Sequence, residues 1–366
     1  MSGLPHALGF AAHPPAARDP GDGFVGGWAG FALESVYARL AVVARERALR
    51  APRVRVAVPV LSVGNLAVGG TGKTPCTAWL ARRLAARGHR VRIVAGRVGH
   101  PVPGAATDEA ALLARLVPAA PVLVARRKAE GVQEAARAGA TVIVVDDGFS
   151  HHALARDLDL VLLDASRPLG NGHLLPYGPL REAPTALARA GAIVLTRADR
   201  IDAERLARTR AAVAVLAPGV PLAAACLVPD GFRAGGEGAP VAVPAGQKAV
   251  CVSGIGRPGD LATSVRALGV EVIDDRAYPD HHRFAPAEWA AARRAAERAG
   301  AWLVVSAKDA ARLEPDARAA THVVDVNFTW LGDASDVERA IDRVSALAID
   351  RASDLTIDHA ADGRTG

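Results

Sequence analysis

The segment Val60-Leu-Ser-Val-Gly-Asn-Leu-Ala-Val-Gly-Gly-Thr-Gly-Lys-Thr74 gathers the residue types that grip polyphosphate. An apolar run enters a turn containing Gly69, Gly70 and Gly72, and Gly72-Lys73-Thr74 opens a helical stretch. Glycines let backbone N–H groups turn inward on phosphate oxygens, and the positive end of the following helix adds to the field. Lys73 can reach the β- and γ-phosphates of a nucleotide, and the Thr74 hydroxyl can ligate Mg²⁺. The strict pattern wants a glycine five residues before Gly72, where this chain has Ala67. A second run, Val142-Ile-Val-Val-Asp-Asp-Gly148, ends in acid. A carboxylate there would face the loop and hold the metal ion, and Asp146 and Asp147 are both candidates. The plainer reading of Asp-Asp-Gly is a turn. A third feature, Gly254-Ile-Gly-Arg-Pro-Gly259, matches a dinucleotide fingerprint literally, with Asp274 as its acid. It also reads as a turn with a proline starting the next helix.

These groups need a scaffold of buried strands. The chain has 366 residues, enough for about two domains. Half of them are hydrophobic and 22% charged, a globular composition that excludes disorder. Aromatics are only 4%, so Ala, Val and Leu must build the core. Apolar runs predict strands at Val58–Val63, Val91–Val94, Val122–Val124, Val142–Val145, Leu160–Leu163 and Ile193–Thr196. A second series follows at Ala249–Ser253, Val270–Ile273, Leu303–Ser306 and His322–Val326. Near-continuous Val/Ile/Leu runs suit strands buried on both faces. Ala/Arg-rich helices lie between them, such as Thr77–Arg87 and Ala287–Arg298, so the sheets are expected to be parallel with covering helices. The expected division is a flexible extension over 1–22, one α/β domain over 23–190, a second over 191–348 and a polar tail over 349–366.

Charge and cysteine usage narrow the partners. Basic residues number 44 and acidic residues 38, a net +6. Only Lys73, Lys128, Lys248 and Lys308 are lysines; every other basic residue is arginine. Residues 45–55 carry five arginines against Glu46, directly after a segment, Gly23–Ala44, whose only charges are Glu34 and Arg39. Phe24, Trp28, Phe31, Val36, Leu40 and Val43 fill much of that segment. Its charges and glycines argue against a membrane span, and it reads either as a core helix with a solvated basic end or as a helix lying on an anionic bilayer. Sparse aromatics around the arginines speak against nucleic acid. Cys76, Cys226 and Cys251 show neither metal spacing nor a disulfide framework, which suits a reducing cytosol.

Taken together, several segments resemble the tetraacyldisaccharide 4'-kinase family of lipid A synthesis. They are Ser62–Pro75, Asp146-Asp-Gly-Phe149 with His151, Leu175-Pro-Tyr-Gly-Pro-Leu-Arg-Glu182, Gly254-Ile-Gly256, Tyr278-Pro-Asp-His-His-Arg-Phe284 and Lys308-Asp309, in family order from about residue 30 to about residue 345. The resemblance implies a P-loop NTPase-like three-layer α/β/α domain plus a smaller α/β domain, with the active site in the cleft between them. It implies transfer of phosphate from ATP, with Mg²⁺, to the 4'-hydroxyl of a lipid-bearing glucosamine disaccharide 1-phosphate. The enzyme is then expected as a monomer peripheral to the cytoplasmic face of the bacterial inner membrane, with no nucleic acid partner. Gly69, Gly70, Thr71, Gly72, Lys73 and Thr74 would hold the nucleotide, and Thr74 with Asp146 or Asp147 the metal. The proton of the sugar hydroxyl would go to Asp108, paired with His281 of the Asp-His motif. Arg126 or Arg127 would meet the substrate phosphate, and Arg181 and Glu182 are further active-site candidates. Against these roles, Asp108 also reads as the acid of a helix N-terminus, and His281 and His282 as surface residues.

The chain departs from the family pattern in four places. Ala95-Gly-Arg-Val-Gly99 replaces Ser-Arg-Gly-Tyr-Gly, Ser150 replaces glutamine, Ala307 stands where an acid precedes the lysine, and the residues before Asp108 are atypical. The competing readings are another P-loop small-molecule kinase or metal-insertion ATPase, and a non-catalytic nucleotide- or nucleic-acid-binding module.

Overall fold

The computed structural model describes residues 27–50, 52–96, 107–236 and 238–347. The extension over 1–22, Phe24, the Arg97-Val98-Gly99 part of the atypical motif and the tail over 349–366 lie outside the described residues, as do the side chains of Trp28 and Phe31. The chain forms two units: residues 1–105, 117–226 and 330–366, and residues 106–116 with 227–329.

The first unit is built on parallel strands β1 (Val60–Asn65), β2 (Val91–Gly96), β3 (Val122–Ala125), β4 (Val142–Asp146), β5 (Leu158–Asp164), β6 (Ala192–Thr196) and the start of β7 (Leu222–Ala234). Their order is β7-β6-β5-β1-β4-β2-β3, so β1 is central, and all six of its residues are buried. Helix α1 spans Gly27–Arg50, and α2 (Lys73–Ala86) lays Cys76, Ala78, Leu80, Ala81 and Leu84 into the core. A third helix, α4 (Lys128–Arg137), packs close to β2 and β3 because Gly131 has no side chain; a Cβ there would come within 2.7 Å of Ala125 and 2.8 Å of Val94. Core packing around Val94, Val132, Ile143 and Val145 forms one cluster, and Val161, Leu163, Ile193 and Leu195 anchor another. Of these strands, β1 to β6 are the ones the apolar runs predict.

The second unit has parallel strands β9 (Lys248–Ser253), β10 (Glu271–Ala277), β11 (Trp302–Ser306) and β12 (His322–Leu331), in the order β10-β9-β11-β12. The end of β7 and the short β8 (Pro240–Val241) add an antiparallel pair. Two helices, Asp260–Ala267 and Pro286–Ala299, cover apolar clusters around Cys251, Val265 and Val304, and around Val252, Ala292 and Val305.

The expected division at 190/191 falls inside the first unit. The chain crosses to the second at Cys226/Leu227, because β6 pairs with both β5 and β7. Two segments also join the unit opposite to the expected one. Helix α3 (Asp108–Leu116) joins the second unit, where Arg115 forms a two-pronged ion pair with the buried Asp325 carboxylate. The last helix, residues 335–347, joins the first. There Trp330 meets Trp79 edge-on at 5.1 Å, and Arg83 pairs with Glu338 at 3.0 Å and Asp342 at 3.2 Å. The strand β7 escapes the sequence reading because its buried half is mostly alanine and its outer half holds Pro229 and Gly231.

Candidate active site

In the first unit, β1 feeds the glycine turn and Gly72, at φ 86°, caps α2 in the left-handed conformation open to glycine. Lys73 and Thr74 are therefore the first two residues of α2, at its positive end. The turn is braced from below: Thr196 donates its hydroxyl to the Thr71 carbonyl at 2.9 Å. The Thr71 hydroxyl itself is buried without a protein partner, an unsatisfied group of the kind a bound ligand would complete. Gly64 lets the strand lie against the β4 turn, since a Cβ there would stand 2.6 Å from Phe149.

The ends of β1 and β4 converge. Lys73 Nζ stands 3.9 Å from Asp147 Oδ1, and Arg181 donates to both oxygens of that carboxylate at 2.9 and 3.0 Å. Asp147 sits at φ 51°, a strained setting for a non-glycine residue, so its side chain is held in place by tertiary contacts. Burial would raise the Asp147 carboxyl, but Lys73, then Arg181 and Lys128, prevail and hold it below the usual aspartate range. Asp146 accepts the Thr77 hydroxyl at 2.9 Å, and burial pushes its carboxyl up against the pull of Lys73.

Lys128 is the residue that sequence reasoning missed. Its ammonium donates to the Asp147 carbonyl, and burial holds it below the usual lysine range despite Asp147 and Asp146. Arg126 and Arg127, the two candidates just before it, are exposed, and Arg127 pairs with Glu130 at 3.4 Å. The signal was available: Lys128 is one of four lysines in an arginine-rich chain. Glu182 points into a closed network instead. It accepts from Ser150 at 2.7 Å and Arg189 at 2.9 Å, lies 3.5 Å from His152, and has its carboxyl pulled down to about 2 against the effect of burial. The atypical Ser150 thus serves as a partner of Glu182.

In the second unit, Thr107 caps α3 by accepting the Ala110 N–H at 3.3 Å, which leaves Asp108 free for other work. Asp108 Oδ2 lies 3.6 Å from His281 Nδ1 and 3.5 Å from Arg312 Nε. Lys308 Nζ approaches His281 Nε2 at 3.1 Å, Asp280 at 3.1 Å and Glu109 at 3.2 Å. The Glu109 and Asp280 carboxylates lie 3.6 and 3.9 Å from His281 Nε2, while Nδ1 faces Asp108. The Asp108 carboxylate raises the His281 imidazole above its ordinary value, with burial opposing. His282 is committed elsewhere: it stacks on Tyr278 at 4.6 Å and pairs with Glu288 at 2.8 Å.

The glycine fingerprint at Gly254 belongs to this cluster. The Gly254 N–H donates to the buried Asp309 carboxylate at 3.0 Å, and its carbonyl accepts from Arg312 and from the His281 N–H, each at 3.0 Å. Its polar backbone is spent on positioning His281 and Arg312 rather than offered to a phosphate. Asp274 pairs with Arg276 at 2.8 Å.

The chain as a whole is similar to known proteins. The family model described as Tetraacyldisaccharide-1-P 4'-kinase matches residues 28–346. A tetraacyldisaccharide 4'-kinase of Anaeromyxobacter dehalogenans (strain 2CP-1) is 44% identical over 322 residues, covering 81% of this chain and 84% of that one. One from Gluconacetobacter diazotrophicus is 37% identical over 344 residues, covering 90% and 97%. Among solved structures, LpxK from Aquifex aeolicus in complex with ATP shares the fold, with TM-score 0.65 and 23% identity over 86% of this chain and 98% of that one. On this evidence the chain belongs to the tetraacyldisaccharide-1-P 4'-kinase family.

Proposed function

We propose that the chain transfers the γ-phosphoryl group of ATP to the 4'-hydroxyl of a tetraacylated glucosamine disaccharide 1-phosphate in lipid A biosynthesis. The observation that carries this reading is the meeting of Lys73 and Asp147 at 3.9 Å where a glycine turn opens α2. That arrangement is built for a nucleotide triphosphate with its metal. The N–H groups over Gly69–Thr74 and the Lys73 ammonium bind the phosphates. The donor set suits Mg²⁺, since the Thr74 hydroxyl and the Asp146 and Asp147 carboxylates are hard oxygens. When bound, Mg²⁺ neutralises charge on the β- and γ-phosphates. Arg181 and Lys128 keep Asp147 ionised and aimed, and the orphaned Thr71 hydroxyl completes the phosphate contacts.

Asp108 accepts the proton of the acceptor hydroxyl as its oxygen bonds to the γ-phosphorus. The bond from that phosphorus to the bridging oxygen breaks, and ADP leaves with the electron pair. His281 Nδ1, 3.6 Å from Asp108, orients that carboxylate, with Lys308 holding the imidazole from the other side.

Among the described residues, no helix is long and apolar enough to cross a membrane. Leu33, Val36, Leu40 and Val43 are nonetheless exposed along α1, followed by exposed Arg47 and Arg50. That sequence of apolar stripe and basic end suits binding to an anionic bilayer surface, where the lipid acceptor resides, at the cytoplasmic face of the inner membrane. The experiment is direct: purified chain, detergent, Mg²⁺-ATP labelled at the γ-phosphate and the disaccharide 1-phosphate lipid. Label should appear in a bisphosphorylated lipid. A folded, ATP-binding protein that transfers none would overturn the reading.

A further inference from the structure

Helix α1 does more than present an apolar stripe. Glu34 and Tyr37, three residues apart and so neighbours on the helix, grip one segment of the first unit. Glu34 accepts the Leu174 N–H at 2.7 Å and lies 3.0 Å from His173 Nδ1, while the Tyr37 hydroxyl donates to the Arg181 carbonyl at 3.2 Å. The Glu34 side chain is only 14% exposed, so these partners replace the water it has lost. The gripped segment in turn pairs with the approach to the glycine turn. Val68 N–H donates to the Pro179 carbonyl at 2.8 Å, and Arg181 N–H donates to the Leu66 carbonyl at 2.9 Å. Leu180 and Ala67 form an antiparallel bridge between these two bonds. From the same segment, the Arg181 guanidinium holds Asp147.

We propose that Glu34 and Tyr37 are positioning residues for the ATP site, acting through segment 173–181. They fix its backbone, which registers residues 66–68 of the phosphate loop, and its Arg181, which aims Asp147. The inference rests on the nucleotide reading of Lys73 and Thr74 and adds a role for α1 at ATP, separate from any role at a bilayer. A helix that meets a lipid surface on one side would therefore set ATP affinity on the other.

The test uses the full chain in detergent, with the disaccharide 1-phosphate lipid added only where turnover is measured. Glu34→Gln, Glu34→Asp and Tyr37→Phe are compared with wild type for the dissociation constant of a fluorescent ATP analogue with Mg²⁺, for KM against kcat, and for amide exchange. Glu34→Gln should weaken nucleotide binding about tenfold, the scale of one charge-assisted hydrogen bond. It should raise KM for ATP more than it lowers kcat, and speed exchange at the Val68 and Arg181 amides. Glu34→Asp should recover part of each effect, and Tyr37→Phe should move them in the same direction by less. Faster exchange confined to α1 and residues 173–174, with nucleotide affinity unchanged, would show a merely structural contact and overturn the proposal. Should Glu34→Gln fail to fold, Tyr37→Phe decides alone by the same two readouts. Wild-type protein that binds no ATP would sink the nucleotide reading instead; exchange at Val68, measured without nucleotide, still reports whether the grip reaches the loop.

Discussion

Replacing Asp108 by alanine removes the proposed proton acceptor while leaving its surroundings supported. Burial would raise the Asp108 carboxyl, but the neighbouring His281, then Arg312 and Lys308, hold it below the usual aspartate range. It is therefore ionised at neutral pH, ready to accept. A positioned base contributes about 10²–10⁴-fold, which is about 3–5 kcal/mol of barrier. The fold should absorb the change. Arg312, 10% exposed, keeps its ion pair with Asp309 and its bond to the Gly254 carbonyl, and Thr107 still caps α3. The expected stability loss is about 1 kcal/mol, the worth of one partly exposed ion pair. The assay measures kcat and KM for ATP with the lipid acceptor in detergent, alongside a thermal melt. We expect kcat to fall about 10²–10⁴-fold with KM for ATP and the melt close to wild type. A kcat within about threefold of wild type would refute the assignment, since no base of this class contributes so little. The pH profile gives an independent check. Asp108 titrates below its ordinary 3.8, so it imposes no loss of rate near neutrality. His281 titrates above 6.5 chiefly because of Asp108. In Asp108→Asn that cause is gone, so the His281 transition, followed by NMR, should move to lower pH.

Other perturbations separate the remaining roles. Lys73→Ala should abolish most transfer and weaken ATP binding, as measured by nucleotide titration, because the only ammonium at the start of α2 is lost. Glu182→Gln should cost about 3 kcal/mol of stability at pH 7, read from urea melts, because the carboxyl is pulled from 4.5 down to about 2 in the folded state. That contribution is present above pH 4.5 and is lost as pH falls toward 2, so the gap from wild type should close over that range. Replacing Val36 and Leu40 together by serine should reduce cosedimentation with anionic vesicles severalfold; unchanged sedimentation would remove α1 as the membrane contact.

What the sequence disclosed, and what it hid, follows from how locally each feature is encoded. The strands β1, β4, β5, β9 and β11 are legible because burial on both faces forces unbroken Val/Ile/Leu runs. The phosphate turn is legible because its chemistry needs glycines and a lysine within a few residues. By contrast, nothing near Asp108 in sequence says that α3 joins the second unit. That is decided by Arg115 meeting Asp325 and by Arg312 meeting Asp108, across some two hundred residues. Arg126 and Arg127 read as phosphate contacts because guanidinium suits phosphate, while the direction in which a side chain points is not visible in sequence. Only the packing that turns Arg127 to solvent and Lys128 inward distinguishes them. The Gly254 turn carries the same lesson in reverse. A glycine pattern states that backbone comes close to something, but the partner here is Asp309 and Arg312 of the chain itself. The spacing of a motif therefore identifies a site only where the groups it presents are left unspent, as the Thr71 hydroxyl is and the Gly254 amide is not.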